Sequence, residues 1–314
     1  MDEISRSAIE AAAERIQPYV RQTPVISVEI DNKTYELKLE CLQLSGTFKA
    51  RGAFNRLIKH KTRAQSGVAA ASGGNHGIAV ATAARSLGVT ANIFVPSVSP
   101  AAKRARLTRL GADVTVSGEQ YADAAAQCEA FIARTNALDC HAYDQVETLN
   151  GQGTLAREWL KQTQGLDTIL VAVGGGGLIG GIAAWCQDDL KIVAVESVGC
   201  PTLHAALQAG SPTDIQVSGL AADSLGAKRS GSLMFPFARD FVNESVLVDD
   251  DAIRLAQKYA WFNFNLLLEP GGAVALAAIL NRQYKPALDE RVGILICGSN
   301  LRGPDDIEQS DTPI

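Results

Sequence analysis

The sequence predicts an α/β protein built on mostly parallel strands. Short apolar runs, among them Val68–Ala71, Ala91–Val95, Thr168–Val173 and Val292–Ile296, alternate with amphipathic helical stretches. Three of these runs end at once in a turn rich in glycine or polar residues, after Ala71, Val173 and Ile296. No Ser/Pro-rich linker, charge block or internal repeat breaks the alternation over 314 residues. Two lobes sharing one body fit that pattern better than two separate beads.

The elements follow in order. Ser5 to Gln17 reads as a surface helix stopped by Pro18, and Tyr35 to Glu40 as a strand by its alternation. Val68–Ala71 is a strand entering a glycine-rich turn, with a helix over Asn75–Ser86 and a buried strand over Ala91–Val95. Pro100 stands in the first turn of a basic helix that ends at Gly111. Ala112–Val116 is a strand, and Glu119–Arg134 and Gly153–Lys161 are helices. Thr168–Val173 runs into four glycines and a helix through Trp185, and Lys191–Val195 is a strand ending at Glu196. Helices over Asp250–Asn265 and Gly272–Leu280 precede a last strand, Val292–Ile296. Open parallel sheets bind ligands at the carboxyl ends of their strands, so the three turns are expected around one cleft.

Composition narrows the function classes. With 29 basic and 34 acidic residues the formal charge is −5, so no basic footprint marks a nucleic-acid partner. Met1 to Ala8 lacks the basic start and apolar core of a signal peptide, and no apolar run reaches the roughly 18 residues of a membrane span. The expected location is the cytoplasm. Six cysteines are scattered singly and only four histidines occur, which argues against a cysteine/histidine zinc cage.

Four segments carry chemistry. In Ser45-Gly46-Thr47-Phe48-Lys49-Ala50-Arg51-Gly52, Lys49 lies among small and apolar residues, where desolvation lowers an amine's pKa and frees it to attack a carbonyl. Most lysines are solvated surface charges, so this segment alone is weak. Ser72-Gly73-Gly74-Asn75-His76-Gly77 joins a strand to a helix, where backbone amides can hold a carboxylate; the bland reading is a turn without ligand. Gly174-Gly175-Gly176-Gly177 lets the backbone curl its amides around a phosphate at a helix start. It fits neither the GxGxxG fingerprint nor the GxxxxGK[ST] loop, and a flexible turn is its alternative. Cys297-Gly298-Ser299-Asn300 ends the last strand with a neutral thiol, although a cysteine there is more often core.

Together these segments resemble the serine/threonine dehydratase and serine racemase family, fold-type-II pyridoxal-phosphate enzymes. The resemblance runs from about Arg21 to Asn300 and includes Arg21-Gln22-Thr23-Pro24, Leu39-Glu40-Cys41-Leu42-Gln43, Gly151-Gln152-Gly153-Thr154 and Glu269-Pro270-Gly271-Gly272-Ala273. It implies the two-lobed, tryptophan synthase β-like fold. The large lobe would take residues 1–48 and 145–314 and bind the cofactor; the small lobe would take residues 49–144. Lys49 would be the Schiff-base lysine and the base that removes the Cα proton, with Phe48 against the cofactor ring. Gly174, Gly175, Gly176 and Gly177, with the backbone of Leu178, would bind the phosphate of pyridoxal 5′-phosphate. Ser72, Gly73, Asn75 and His76 would form the substrate-carboxylate loop, Asn75 also reaching the cofactor's O3′. Cys297 would face the pyridine nitrogen. A thiol keeps that nitrogen protonated less well than a carboxylate, which suits prompt β-elimination.

Two departures sharpen the reading. Racemase-like members carry a second serine where this chain has Gly73, and glycine cannot return a proton on the opposite face. The family's cation site pairs a glutamate, here Glu196, with an aspartate six residues on; that position is Thr202, so no metal is expected. The resemblance therefore implies elimination of water from a small β-hydroxy-amino acid of the L-serine/L-threonine type, giving a 2-oxo acid and ammonia. The alternatives are serine racemase, 3-hydroxyaspartate dehydratase and a β-replacing enzyme like the cysteine synthases. The last usually follows its lysine with an Asp-Arg pair rather than Ala50-Arg51. Outside the family stand a non-catalytic protein that kept the fold, and a nicotinamide oxidoreductase, weakened by the missing acidic ribose partner. A small amino-acid substrate and a homodimer are expected, with no nucleic acid or membrane. The cations of Ala222–Arg229 would favour an acidic side chain or simply be solvated.

Overall fold

The computed structural model describes residues 3–301. Met1 and Asp2 of the N-terminal stretch, and residues 302–314 of the expected large lobe, lie outside the described residues.

Helix α1 (Arg6–Ile16) is capped by the Ser5 hydroxyl and followed by the hairpin β1 (Val25–Ile30) and β2 (Lys33–Leu39). Helices α2 (Lys49–Lys59) and α3 (Lys61–Ala64) lead to β3 (Val68–Ala71), α4 (Asn75–Leu87) and β4 (Ala91–Val95). Then come α5 (Ala101–Arg109), β5 (Asp113–Val116), α6 (Tyr121–Thr135), β6 (Leu138–Asp139) and α7 (Val146–Gln162). The chain continues through β7 (Thr168–Ala172), α8 (Gly177–Cys186), β8 (Lys191–Ser197), α9 (Thr202–Ala209), α10 (Ala222–Leu225) and α11 (Phe235–Phe241). It ends with β9 (Glu244–Val248), α12 (Asp250–Phe264), α13 (Pro270–Leu280) and β10 (Val292–Ile296).

Among the described residues the strands form two sheets. The six-stranded one has the order β1-β2-β10-β7-β8-β9 and is parallel except for the β1/β2 hairpin; the four-stranded one, β5-β4-β3-β6, is parallel throughout. Both sheets carry helices on their faces, as a sheet of buried apolar strands requires. One apolar core follows β7, β8, β10 and α13; a second follows β3, β4, α2 and α4. All six cysteines are free and buried.

Two differences from the sequence reading have physical causes. Helix α7 starts at Val146 rather than near Gly153, because Gly151 and Gly153 are not turn residues but contact points. A Cβ on Gly151 would lie 2.6 Å from the Gly52 Cα, and one on Gly153 would lie 2.7 Å from the Gly181 carbonyl oxygen. Helix α7 thus meets α2 and α8 backbone to backbone, which outweighs the intrinsic cost of glycine inside a helix, about 1 kcal/mol each. The hairpin strand β1 was not anticipated either. It is an edge strand, largely half-exposed, and so lacks the apolar run that marks its buried neighbours.

Candidate active site

The carboxyl ends of β3, β7 and β10 converge. Phe48 N–H donates to the Cys297 carbonyl, Thr47 bridges Gly298, and Ser299 N–H donates to the Gly46 carbonyl at 3.0 Å, so the segment before α2 is stitched to the end of β10. That registration brings Lys49 over the cleft as the first residue of α2. Asn75 opens α4 after the β3 turn, and Gly174 to Gly177 join β7 to α8.

One cavity is lined by Phe48, Lys49, Asn75, Gly174 to Gly177, Leu178 and Cys297. Of the predicted site residues, Ser72, Gly73 and His76 are not on its wall. The Ser72 hydroxyl accepts from Gly74 N–H within its own turn, and the His76 ring is buried with Nε2 2.7 Å from the Cys140 carbonyl. Ser224 and Leu225 of the Ala222–Arg229 segment reach the cavity, while Arg229 turns to the exposed Asp214 at 3.1 Å.

The Lys49 amine donates to the Ala142 carbonyl at 2.8 Å and sits 5.2 Å from the centre of the Phe48 ring. Burial lowers its pKa to about 8 against weaker opposing pulls from Cys297 and Glu269. Burial pushes the Cys297 thiol up, so it keeps its proton, which it directs to the Gly271 carbonyl at 3.4 Å. Gly176 has φ +89°, a conformation that L side chains rarely adopt, and it caps α8. The first-turn amides of α8 have no acceptors within the helix. Tyr143 packs where a Cβ on Gly175 or Gly177 would stand, and Leu225 closes on Gly174.

Glu269 escaped the sequence reading as a site residue. It lines the same cavity, is buried, and its Oε1 accepts from Asn75 Nδ2 at 2.7 Å, while Asn75 Oδ1 accepts from Asn300 Nδ2 at 2.6 Å. Burial raises its pKa to about 7, the Asn75 hydrogen bond pulling the other way. The signal was its place before Pro270, which reads simply as a helix start. Glu196 is likewise buried, but its two oxygens accept from Leu203 and His204 N–H at 2.7 Å each, and the Thr202 hydroxyl donates to the Ala227 carbonyl.

The site suits pyridoxal 5′-phosphate on its own chemistry: an amine for a carbonyl, a side-chain-free loop at a helix N-terminus for a phosphate, and a neutral thiol for a ring nitrogen. Comparisons with known proteins agree. The chain is 34% identical to a serine racemase of Oryza sativa subsp. indica (94% of this chain, 90% of that one). It is 35% identical to an L-threonine ammonia-lyase of Geobacter sulfurreducens (93% and 74%), and 32% identical to a phenylserine dehydratase of Ralstonia pickettii (94% and 92%). The solved structure of maize serine racemase superimposes with a TM-score of 0.90 at 33% identity, covering 95% of this chain and 94% of that one. No helix among the described residues is long and apolar enough to cross a membrane. The family described as pyridoxal-phosphate dependent enzyme matches residues 16–298, and the chain belongs to it, with pyridoxal 5′-phosphate as its cofactor.

Proposed function

We propose that this chain is a dehydratase that eliminates water from a β-hydroxy-amino acid of the serine/threonine type. The observation that carries the reading is the desolvated Lys49 amine facing the glycine loop across a cavity walled by the neutral Cys297. Bound cofactor supplies a carbonyl for the substrate's amine and a ring that accepts electrons from Cα. Lys49, its pKa lowered by burial to about 8, would take the Cα proton. The amides at the start of α8 would hold the phosphate, and Phe48 and Asn75 would orient the ring. The Cβ–O bond then breaks, the hydroxyl leaves with a proton as water, and hydrolysis of the released enamine gives a 2-oxo acid and ammonia.

Racemisation is the second reading. Relatives named serine racemase support it, as does the Ser99 hydroxyl, 2.8 Å from where a Cβ on Gly73 would stand. The preference for elimination rests on Gly73, which has no group to return a proton. Incubating the cofactor-loaded chain with L-serine separates the two: pyruvate and ammonia in excess over D-serine support the dehydratase, and D-serine in excess overturns it. The same proposal includes the small lobe at 49–144, supported by the four-stranded sheet lying within residues 68–139. It also includes a cytoplasmic homodimer, which sedimentation would test.

A further inference from the structure

We propose that a second cavity, walled by Ala71, His76, Tyr121, Cys128, Ile132 and His141, is the subsite for the substrate's β-substituent, and that it selects neutral, bulky or aromatic groups over acidic ones. The proposal rests on the β-elimination reading and names the substrate class for it.

The cavity lies under α6, at the carboxyl ends of β3 and β6. It adjoins the cofactor cavity at two points. Ala142 lines it and gives its carbonyl to the Lys49 amine, and His76 follows Asn75, which lines the cofactor cavity. A substrate held with Cα near Lys49 therefore has this space beside it. It is a cleft open to solvent, with Tyr121 and Glu129 exposed at its mouth, and its volume is about 460 Å3. An apolar cavity of about 150 Å3 holds benzene, so room for a phenyl group is ample.

Its charge decides the class. Among the described residues that line it, none is lysine or arginine, and the formal charges are those of Asp139 and Glu129. His76 directs Nε2 to a carbonyl, and His141 Nδ1 accepts the Tyr143 and Asp144 amides, so the backbone fixes each tautomer. Burial lowers both pKa values, that of His76 to about 3, and neither ring brings positive charge at neutral pH. The Cys128 thiol, pushed up to about 12 by burial, stays neutral as well. A second carboxylate on the substrate would meet two negative groups and no cation. A phenyl ring would meet the Tyr121 ring, two neutral imidazoles and Ile132, surfaces that favour aromatic contact.

The test uses the holoenzyme with L-serine, threo-β-phenylserine and threo-3-hydroxyaspartate, and reads both oxo-acid release and the shift of the bound cofactor's visible absorption on titration. The expected result is a kcat/KM for phenylserine at least 10-fold above that for 3-hydroxyaspartate. Filling the cavity with Ala125→Phe, or with Ile132→Phe should the first fail to fold, lowers the phenylserine-to-serine ratio at least 10-fold. Preference for 3-hydroxyaspartate, or an unchanged ratio in a variant that keeps its cofactor absorption, overturns the subsite. Should no substrate release oxo acid, elimination itself fails. The titration then still decides: phenylserine binding at least 10-fold more tightly than 3-hydroxyaspartate upholds the subsite, and equal or weaker binding sinks it.

Discussion

Lys49 and Arg51 stand two residues apart in the first turn of α2, and their side chains enter two different kinds of interior. Arg51 joins a cluster of balanced charge. It meets Glu40 through two hydrogen bonds of 2.6 and 2.9 Å and Glu158 at 3.0 Å, and Glu158 in turn holds the buried Lys38 at 2.5 Å. Burial alone would raise the Glu40 carboxyl, but the Arg51 charge and hydrogen bonds outweigh it and hold Glu40 below the usual range. On the other side, the hydrogen bonds of Lys49, Glu269 and Cys297 go to neutral groups: a carbonyl, an amide and a carbonyl. There burial wins, and Lys49 falls to about 8 while Glu269 rises to about 7. The two buried carboxyls, Glu40 and Glu269, thus shift in opposite directions. For the carboxyls, the Arg51 partner outweighs burial at Glu40 and the neutral Asn75 partner does not at Glu269, while at Lys38 burial outweighs even the Glu158 pair and lowers its pKa.

Substitutions at Lys49 and Arg51 should separate activity from stability. Lys49→Ala should cut oxo-acid release by about 10^3-fold or more, while the thermal midpoint of the cofactor-free protein falls no lower than that of the native chain. Arg51→Met should do the reverse, costing about 3–5 kcal/mol in chemical denaturation because it strands the Glu40 carboxylate. A smaller loss, about 1–3 kcal/mol, is expected for Gly153→Ala, whose methyl has only backbone and Ile9 to displace.

Per pH unit, the mildest effect is a slope in stability. Glu269 has its pKa raised on folding from the ordinary 4.5 to about 7, so between those values the folded state holds a proton that the unfolded state lacks. Stability should therefore fall as pH rises through this window, by at most about 1.4 kcal/mol per pH unit, and level off above it. Urea unfolding of the cofactor-free protein should show that slope, and Glu269→Gln should flatten it; an identical slope in both would remove Glu269 from the comparison.

Much of this was legible in the residues. Strands β4 and β10 were read to their end residues, because buried parallel strands are continuous apolar runs bounded by turns. The glycine run and Cys297 betrayed themselves by following such runs directly. Edge strand β9 was missed, its outer residues being half-exposed, and β6 is only two residues long. Glu269 and the Arg51 cluster were hidden for a different reason. Their meaning lies in partners far along the chain, 194 residues in the Glu269–Asn75 hydrogen bond and 107 in Arg51–Glu158, which no local pattern reports.

The glycine contacts of α7 also bear on how this protein tolerates change. Side chains between helices act as a cushion that repacks when one helix shifts, and where Gly151 meets the Gly52 backbone and Gly153 meets Gly181 that cushion is thin. Helix α2, which carries Lys49, is thereby geared through α7 to α8, which begins at the glycine loop. A mutational library aimed at new substrates should leave these four positions alone and spend its diversity on α6, whose wall facing the second cavity is made of replaceable side chains.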